Sequence, residues 1–162
     1  MRALATFFGA GLLRPGPGTW GSLAAMVVAW PILWLGGPVL LVAATLGVVA
    51  IGLPAIRAEV AASGAEDPSH VVIDEVAGMW IALMPVGFGA WHVGAPLLAL
   101  WPGWIAAFAL FRLFDIWKPG PVGWADRRGD GWGVMGDDLI AGAFAALGVV
   151  LLAALAHGVL MT

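Results

Sequence analysis

Charged side chains are missing from three long stretches of this chain, and those stretches outline its elements. None lies between Arg14 and Arg57, none between Glu75 and Arg112, and none after Asp138. A helix needs about 20 apolar residues to cross a bilayer. The first stretch holds two segments, at 20–35 and 38–56, broken at Gly36-Gly37-Pro38. The second holds two more, at 75–88 and 95–114, broken within GFGAWHVGAP (87–96). The third holds one, at 138–160. The pattern predicts an all-α fold: a multihelical membrane bundle of about five hydrophobic segments. The first and third are short enough to be re-entrant or tilted. Residues 1–13 (MRALATFFGAGLL) read as an interfacial or buried helix, because no small-x-small cleavage site precedes RPGPGTWGS.

Composition supports the membrane reading. The 162 residues fit one domain, 1–162, but only 10% are charged and 62% are hydrophobic, against about 25% charged in a soluble domain. A soluble bundle with an apolar core is the competing reading. The net charge of −3 does not suggest nucleic acid. The absence of cysteine removes disulfides, zinc-thiolate sites and a thiol nucleophile. Ten tryptophans suit a chain with two membrane–water boundaries. With five segments, Arg2, Arg14, Arg57, Arg112, Lys118, Arg127 and Arg128 all fall on one side. The positive-inside rule makes that side cytoplasmic.

The polar motifs lie on the same side. RPGPGTWGSLAA (14–25) is a turn opening a helix, with Thr19 and Ser22 as N-cap types. It reads either as a plain capped turn or as an anion site at a helix N-terminus. AEDPSHVVIDEVAG (65–78) suits a helix starting at Asp67, with Asp74 and Glu75 a turn or two inside. Capping explains one such acid better than two adjacent ones. Arg112 and Asp115, three apart, share a helix face, and Lys118-Pro119 ends that helix. The glycine-rich loop with Asp126, Arg127, Arg128 and Asp130 reads as a solvated connector into a second acidic pair, Asp137-Asp138. Clustered carboxylates without cysteine suit a hard cation such as Mg²⁺, shared with substrate phosphate. His70 is on the charged side but reads as a loop histidine, while His92 and His157 fall near the uncharged side.

GPGTWGSLAA, VVIDEVAG, FRLFDIWKPGPVGWADRR and GVMGDDLIAG, in this order and spacing, resemble the phosphatidylglycerophosphatase A family of bacterial membrane enzymes. The resemblance covers nearly the whole chain and implies a helical bundle with a central helix packed by others. It implies Mg²⁺-dependent removal of the terminal phosphate of phosphatidylglycerol phosphate at the cytoplasmic face of the inner membrane. It assigns metal ligation to Asp74, Glu75, Asp137 and Asp138, and substrate phosphate to Thr19, Arg112 and Lys118. The catalytic set it implies is Asp74, Glu75, Asp115, Lys118 and Asp138. The chain departs from the family pattern at Gly120, Gly123 and Gly136, where bulkier residues are common, and at Asp130, where a basic residue is common.

Missing motifs narrow the chemistry. No Asp-x-Asp-x-Thr nucleophile is present, and DGWGVM (130–135) does not continue as the Asp-Gly-x-x-Ala-Arg motif of CDP-alcohol phosphotransferases. Attack by water activated at a metal is the leading expectation, with an aspartyl-phosphate intermediate as the alternative. A small transporter subunit is a third reading, disfavoured by spans that carry no ionised residue.

Overall fold

The computed structural model describes residues 1–65 and 68–160. Its elements are α1 (Arg2–Ala5), α2 (Pro17–Ser63), α3 (Ile73–Val93), α4 (Trp101–Trp117), α5 (Pro121–Asp126) and α6 (Gly131–Leu160), with 3₁₀ turns at Ala10–Leu12 and Leu97–Leu100. No strand occurs among the described residues. Among the described residues, four helices are long and apolar enough to cross a membrane: α2, α3, α4 with its leading turn, and α6.

The long α2 contains two of the expected segments. Gly37 has φ 62° and ψ −163°, outside helical space, a conformation that glycine reaches without a Cβ clash. The chain doubles back there. Gly21 lies against Val72 and Gly52 against Ile73, while Leu33 and Pro38 both lie against Gly87. Residues 17–36 therefore run along α3 in one direction and residues 38–63 return. The break expected at Gly36-Gly37-Pro38 is where the reversal falls.

Helix α3 is the central one, packing against α2, α4 and α6. Of its most apolar window 56% is buried, against 17–28% in the other three long helices. Trp80 anchors it by donating from Nε1 to the Ala25 carbonyl of α2 at 2.9 Å. The crossing of α3 with α6 is a glycine contact. A Cβ on Gly142 would collide with the Gly78 carbonyl, and one on Gly78 would lie 2.5 Å from the Asp138 carbonyl. Small residues at a crossing let two helix backbones approach closely.

Several boundaries differ from the expected ones. Helix α3 starts at Ile73. A start at Asp67 lies outside the described residues, and residues 68–72 are not helical. Tertiary pairing accounts for the late start: the Val72 N–H donates to the Ala5 carbonyl at 2.9 Å. At its other end α3 continues through Gly87 and Gly89 and stops at Gly94 in the left-handed region. Residues 1–13 are not one helix, because Phe7, Phe8 and Gly9 have positive φ and divide α1 from the 3₁₀ turn. Helix α6 begins seven residues before the expected position 138.

Exposed tryptophans occur toward both ends of the bundle. Trp20, Trp117, Trp124 and Trp132 belong to the charged end, and Trp34, Trp91 and Trp101 to the opposite one. This is the distribution of aromatic side chains at two membrane–water boundaries.

Candidate active site

Helix α3 contributes Asp74 and Glu75 from its first turn, and α4 contributes Asp115 from its last turn and Arg112 from the turn before it. Lys118 ends α4 in the left-handed conformation, φ 50°. This turns the chain through Pro119-Gly120 into α5, which brings Asp126 and Arg127 back over the site. Asp137 and Asp138 come from α6. All of these residues line one cavity of about 740 Å³, with Gly16, Pro17, Gly18 and Ser69 among its other walls. The sequence-predicted acids and the two predicted basic residues are thus brought together. Thr19 is not among the lining residues.

The glycine-rich start of α2 has a packing role. Its N-cap is Gly16, with no side-chain cap bond, so neither Thr19 nor Ser22 caps the helix. The Ser22 hydroxyl instead donates to the Gly18 carbonyl at 2.9 Å. A Cβ on Gly18 would collide with Glu75 Oε1 and lie 2.9 Å from Arg112 Nη1; one on Gly21 would lie 2.6 Å from Glu75 Oε2. The two glycines let the first turn of α2 close directly onto the Glu75 carboxylate.

Charge is distributed unevenly in the cavity. Asp74, Asp137 and Asp138 are no more than 6% exposed. Arg112 Nη1 donates to Asp115 Oδ2 at 2.5 Å and reaches Glu75 Oε1 at 3.5 Å. The expected Arg112–Asp115 pair is present, and Glu75 joins it. Arg112 Nε is buried with no partner among the described residues, as is Asp138 Oδ1. Lys118 Nζ donates to Asp126 and, at 2.9 Å, to Asp137 Oδ2. Burial by itself would lower the Lys118 pKa, but these two carboxylates outweigh it and hold the ammonium above its ordinary value.

Asp126 was read from sequence as part of a solvated connector; the structure makes it a lining residue and a Lys118 partner. Arg127 also lines the cavity. Asp130 does not reach it. It accepts from the Gly133 N–H at 2.7 Å and pairs with Arg128 at 3.1 Å, a capping geometry at the start of α6. Its three-residue spacing to Gly133 was the available signal. His70 pairs with Glu59 at 3.0 Å, tying the loop before α3 to the end of α2.

A metal can be tested against this donor set. Among the described residues, no three acidic or histidine side chains already form a metal cluster. Mg²⁺ does not require one, since it keeps several waters and usually takes one or two carboxylates plus substrate oxygens. A carboxylate-rich wall with a buried, unpartnered Asp138 Oδ1 fits such an open site.

The fold and cavity define a class: a helical bundle with membrane-spanning character and one acidic, phosphate-compatible pocket at its charged end. The comparisons make the class specific. The phosphatidylglycerophosphatase A family matches residues 3–153, and the chain belongs to it. A Haemophilus influenzae protein named phosphatidylglycerophosphatase A is 36% identical over 89% of this chain and 83% of its own length. One from Escherichia coli with the same name is 37% identical over 88% of this chain and 77% of its own. A Bacteroides thetaiotaomicron protein, provisionally named a phosphatidylinositol-3-phosphatase, is 38% identical over 87% of this chain and 86% of its own. No solved structure matches the chain.

Proposed function

We propose that the protein is a Mg²⁺-dependent phosphatidylglycerophosphatase. It hydrolyses the terminal monoester of phosphatidylglycerol phosphate to phosphatidylglycerol and inorganic phosphate, at the cytoplasmic face of the bacterial inner membrane. The observation that carries this reading is the convergence, among the described residues, of six carboxylates and three cations on one cavity at the charged end of an apolar bundle, in a chain akin to proteins of that name. Such a site can take a phosphate while the lipid's chains stay in the bilayer.

Asp74, Glu75, Asp137 and Asp138 are the residues to hold Mg²⁺, which when bound supplies positive charge and polarises a phosphoryl oxygen. The remaining roles belong to side chains. Asp115 and Glu75 fix the Arg112 guanidinium through Nη1, leaving Nε to donate to a phosphate oxygen. Asp126 and Asp137 hold Lys118 charged and oriented as a second cation for the charge that builds on the phosphoryl group. Hydrolysis breaks the bond between phosphorus and the glycerol oxygen. Water supplies the new oxygen on phosphorus, and the proton it loses passes to a carboxylate of the wall and from there to the departing glycerol oxygen.

The test is phosphate release from phosphatidylglycerol phosphate, phosphatidate and phosphatidylinositol 3-phosphate in detergent micelles, with Mg²⁺ or with chelator. Release from the first lipid, dependent on Mg²⁺, is expected. Hydrolysis of another lipid in preference to it would reassign the substrate, and full activity in chelator would remove the metal. Orientation is tested in spheroplasts. A cysteine at His92→Cys should label from outside and one at Asp126→Cys should not; the reverse pattern would invert the topology.

A further inference from the structure

Among the described residues three cations line the cavity, and two of them are committed. Arg112 is held by Glu75 and Asp115, and Lys118 by Asp126 and Asp137. Arg127 is the third, and it has no acidic partner among the described residues. It is exposed, directly after α5, whereas Asp74, Asp137 and Asp138 are buried. The cavity is therefore graded, with the buried carboxylates Asp74, Asp137 and Asp138 on its floor and, at its rim, Asp126 paired with Lys118 beside the uncommitted Arg127 guanidinium. Among the described residues the lining carries six carboxylates and three cations. No lining carboxylate neutralises the Arg127 charge, so at the rim it is open to an incoming anion.

The rim also has a defined level. Trp124, three residues before Arg127, is 60% exposed, and Trp132 on α6 is exposed beside it. Both line a small, mainly apolar groove with Ala125, Arg128, Gly136 and Ile140. Exposed tryptophans at the end of a membrane bundle mark the headgroup layer, which is where the phosphodiester of a glycerophospholipid lies. At about 740 Å³ the cavity falls in the range of pockets that enclose a whole small molecule, so it has room for a headgroup and not only for one phosphate.

We propose that Arg127 is a substrate-specificity residue: from the rim it binds the phosphodiester that joins the headgroup to the diacylglycerol, while the terminal monoester occupies the carboxylate floor. This rests on the function proposed above and deepens it. The preferred class is lipids that carry both an internal phosphodiester and a terminal phosphomonoester. A lipid with a lone monoester, such as phosphatidate, leaves Arg127 without a ligand. Arginine suits the role because its planar fork binds two phosphate oxygens at once and its charge does not titrate.

The diester is unchanged by the reaction, so its contact contributes equally to ground and transition states, and its loss raises KM without lowering kcat. Purified Arg127→Ala, assayed on phosphatidylglycerol phosphate at saturating Mg²⁺, should show KM raised about 10-fold or more with kcat retained, the scale of one lost charge-assisted contact. Arg127→Lys should recover part of the loss. Calorimetry gives a readout without turnover: the deacylated headgroup, with both phosphates, should bind Arg127→Ala about 10-fold more weakly, while inorganic phosphate binds as it does to the wild type. Helical circular dichroism and the melting midpoint report folding of each variant. A fall in kcat at constant KM would place Arg127 on the cleaved phosphate and overturn the proposal. Equal weakening for headgroup and inorganic phosphate, or no change in either, would overturn it too. Wild-type protein that binds the headgroup through Arg127 but releases no phosphate would sink the parent function and leave this contact standing.

Discussion

The two acidic pairs look alike in sequence and differ in what surrounds them. Asp74-Glu75 sits in the first turn of α3, where unpaired backbone N–H groups and the helix dipole favour negative charge. Asp137-Asp138 sits about two turns inside α6, which begins at Gly131, beyond the reach of that effect. In both pairs the first acid's Oδ1 accepts the N–H of the second, at 2.9 Å. The first pair gains from its helix even without a ligand. The second is a buried cost to the fold, and burying a carboxylate is tolerated only where something offsets it. Capping thus accounts for part of the first pair and none of the second.

The largest expected effect comes from the pair that helix geometry does not support. Asp138→Asn keeps the shape and removes the charge. Turnover should fall by at least about 100-fold, the scale of losing a catalytic group, while the metal-free melting midpoint holds or rises. A variant that keeps its activity and merely melts earlier would make Asp138 structural. Asp74→Asn should cost similar activity, but in chelator it should also lose about 0.3–1 kcal/mol of stability, the dipole contribution at a first turn. Equal metal-free melting of the two variants would erase the distinction between the pairs. Next is the contact that brings the pairs together. Gly142→Ala places a Cβ on the Gly78 carbonyl, and overpacking of this kind costs about 1–3 kcal/mol. Both the melting midpoint and turnover should drop, because Asp74 and Asp138 each lie one turn before their crossing glycine. Normal turnover in Gly142→Ala would show that the close crossing is dispensable. The smallest effect belongs to Thr19→Ala. Its side chain neither caps α2 nor lines the cavity, so stability should stay within about 0.5 kcal/mol, as for an ordinary surface change. A large rise in KM for the lipid would return Thr19 to the phosphate site.

Much of this arrangement was legible from charge spacing. The uninterrupted apolar runs located the long helices, the Gly36-Gly37-Pro38 break located the reversal, and the order of acidic and basic motifs placed the site at one end. Tertiary context hid the remainder. The late start of α3 depends on a hydrogen bond from Val72 to Ala5, 67 positions away in the chain. The early start of α6 was masked by GWGVMG, whose glycines read as loop, although Asp130 offered a cap. Asp126 and Arg127 join the site because Lys118 and Gly120 take positive φ and fold α5 back, a turn that residue spacing does not disclose. Gly18 and Gly21 read as turn formers, yet the structure uses them to admit a carboxylate.

The reversal at Gly37 also bears on how the protein is made. Residues 17–36 and 38–63 form a hairpin whose turn, Gly36-Gly37-Pro38, carries no ionisable group, and no charged residue lies between Arg14 and Arg57. Such a hairpin can enter a bilayer as one unit, because no charge must be dragged through hydrocarbon to place its tip on the far side. The cavity cannot assemble at that stage. Its carboxylates arrive with α3, then α4 and α5, and only afterwards with α6, which supplies Asp137 and Asp138. A nascent chain arrested before α6 would therefore hold the apolar hairpin yet lack Asp137 and Asp138 from the cavity wall.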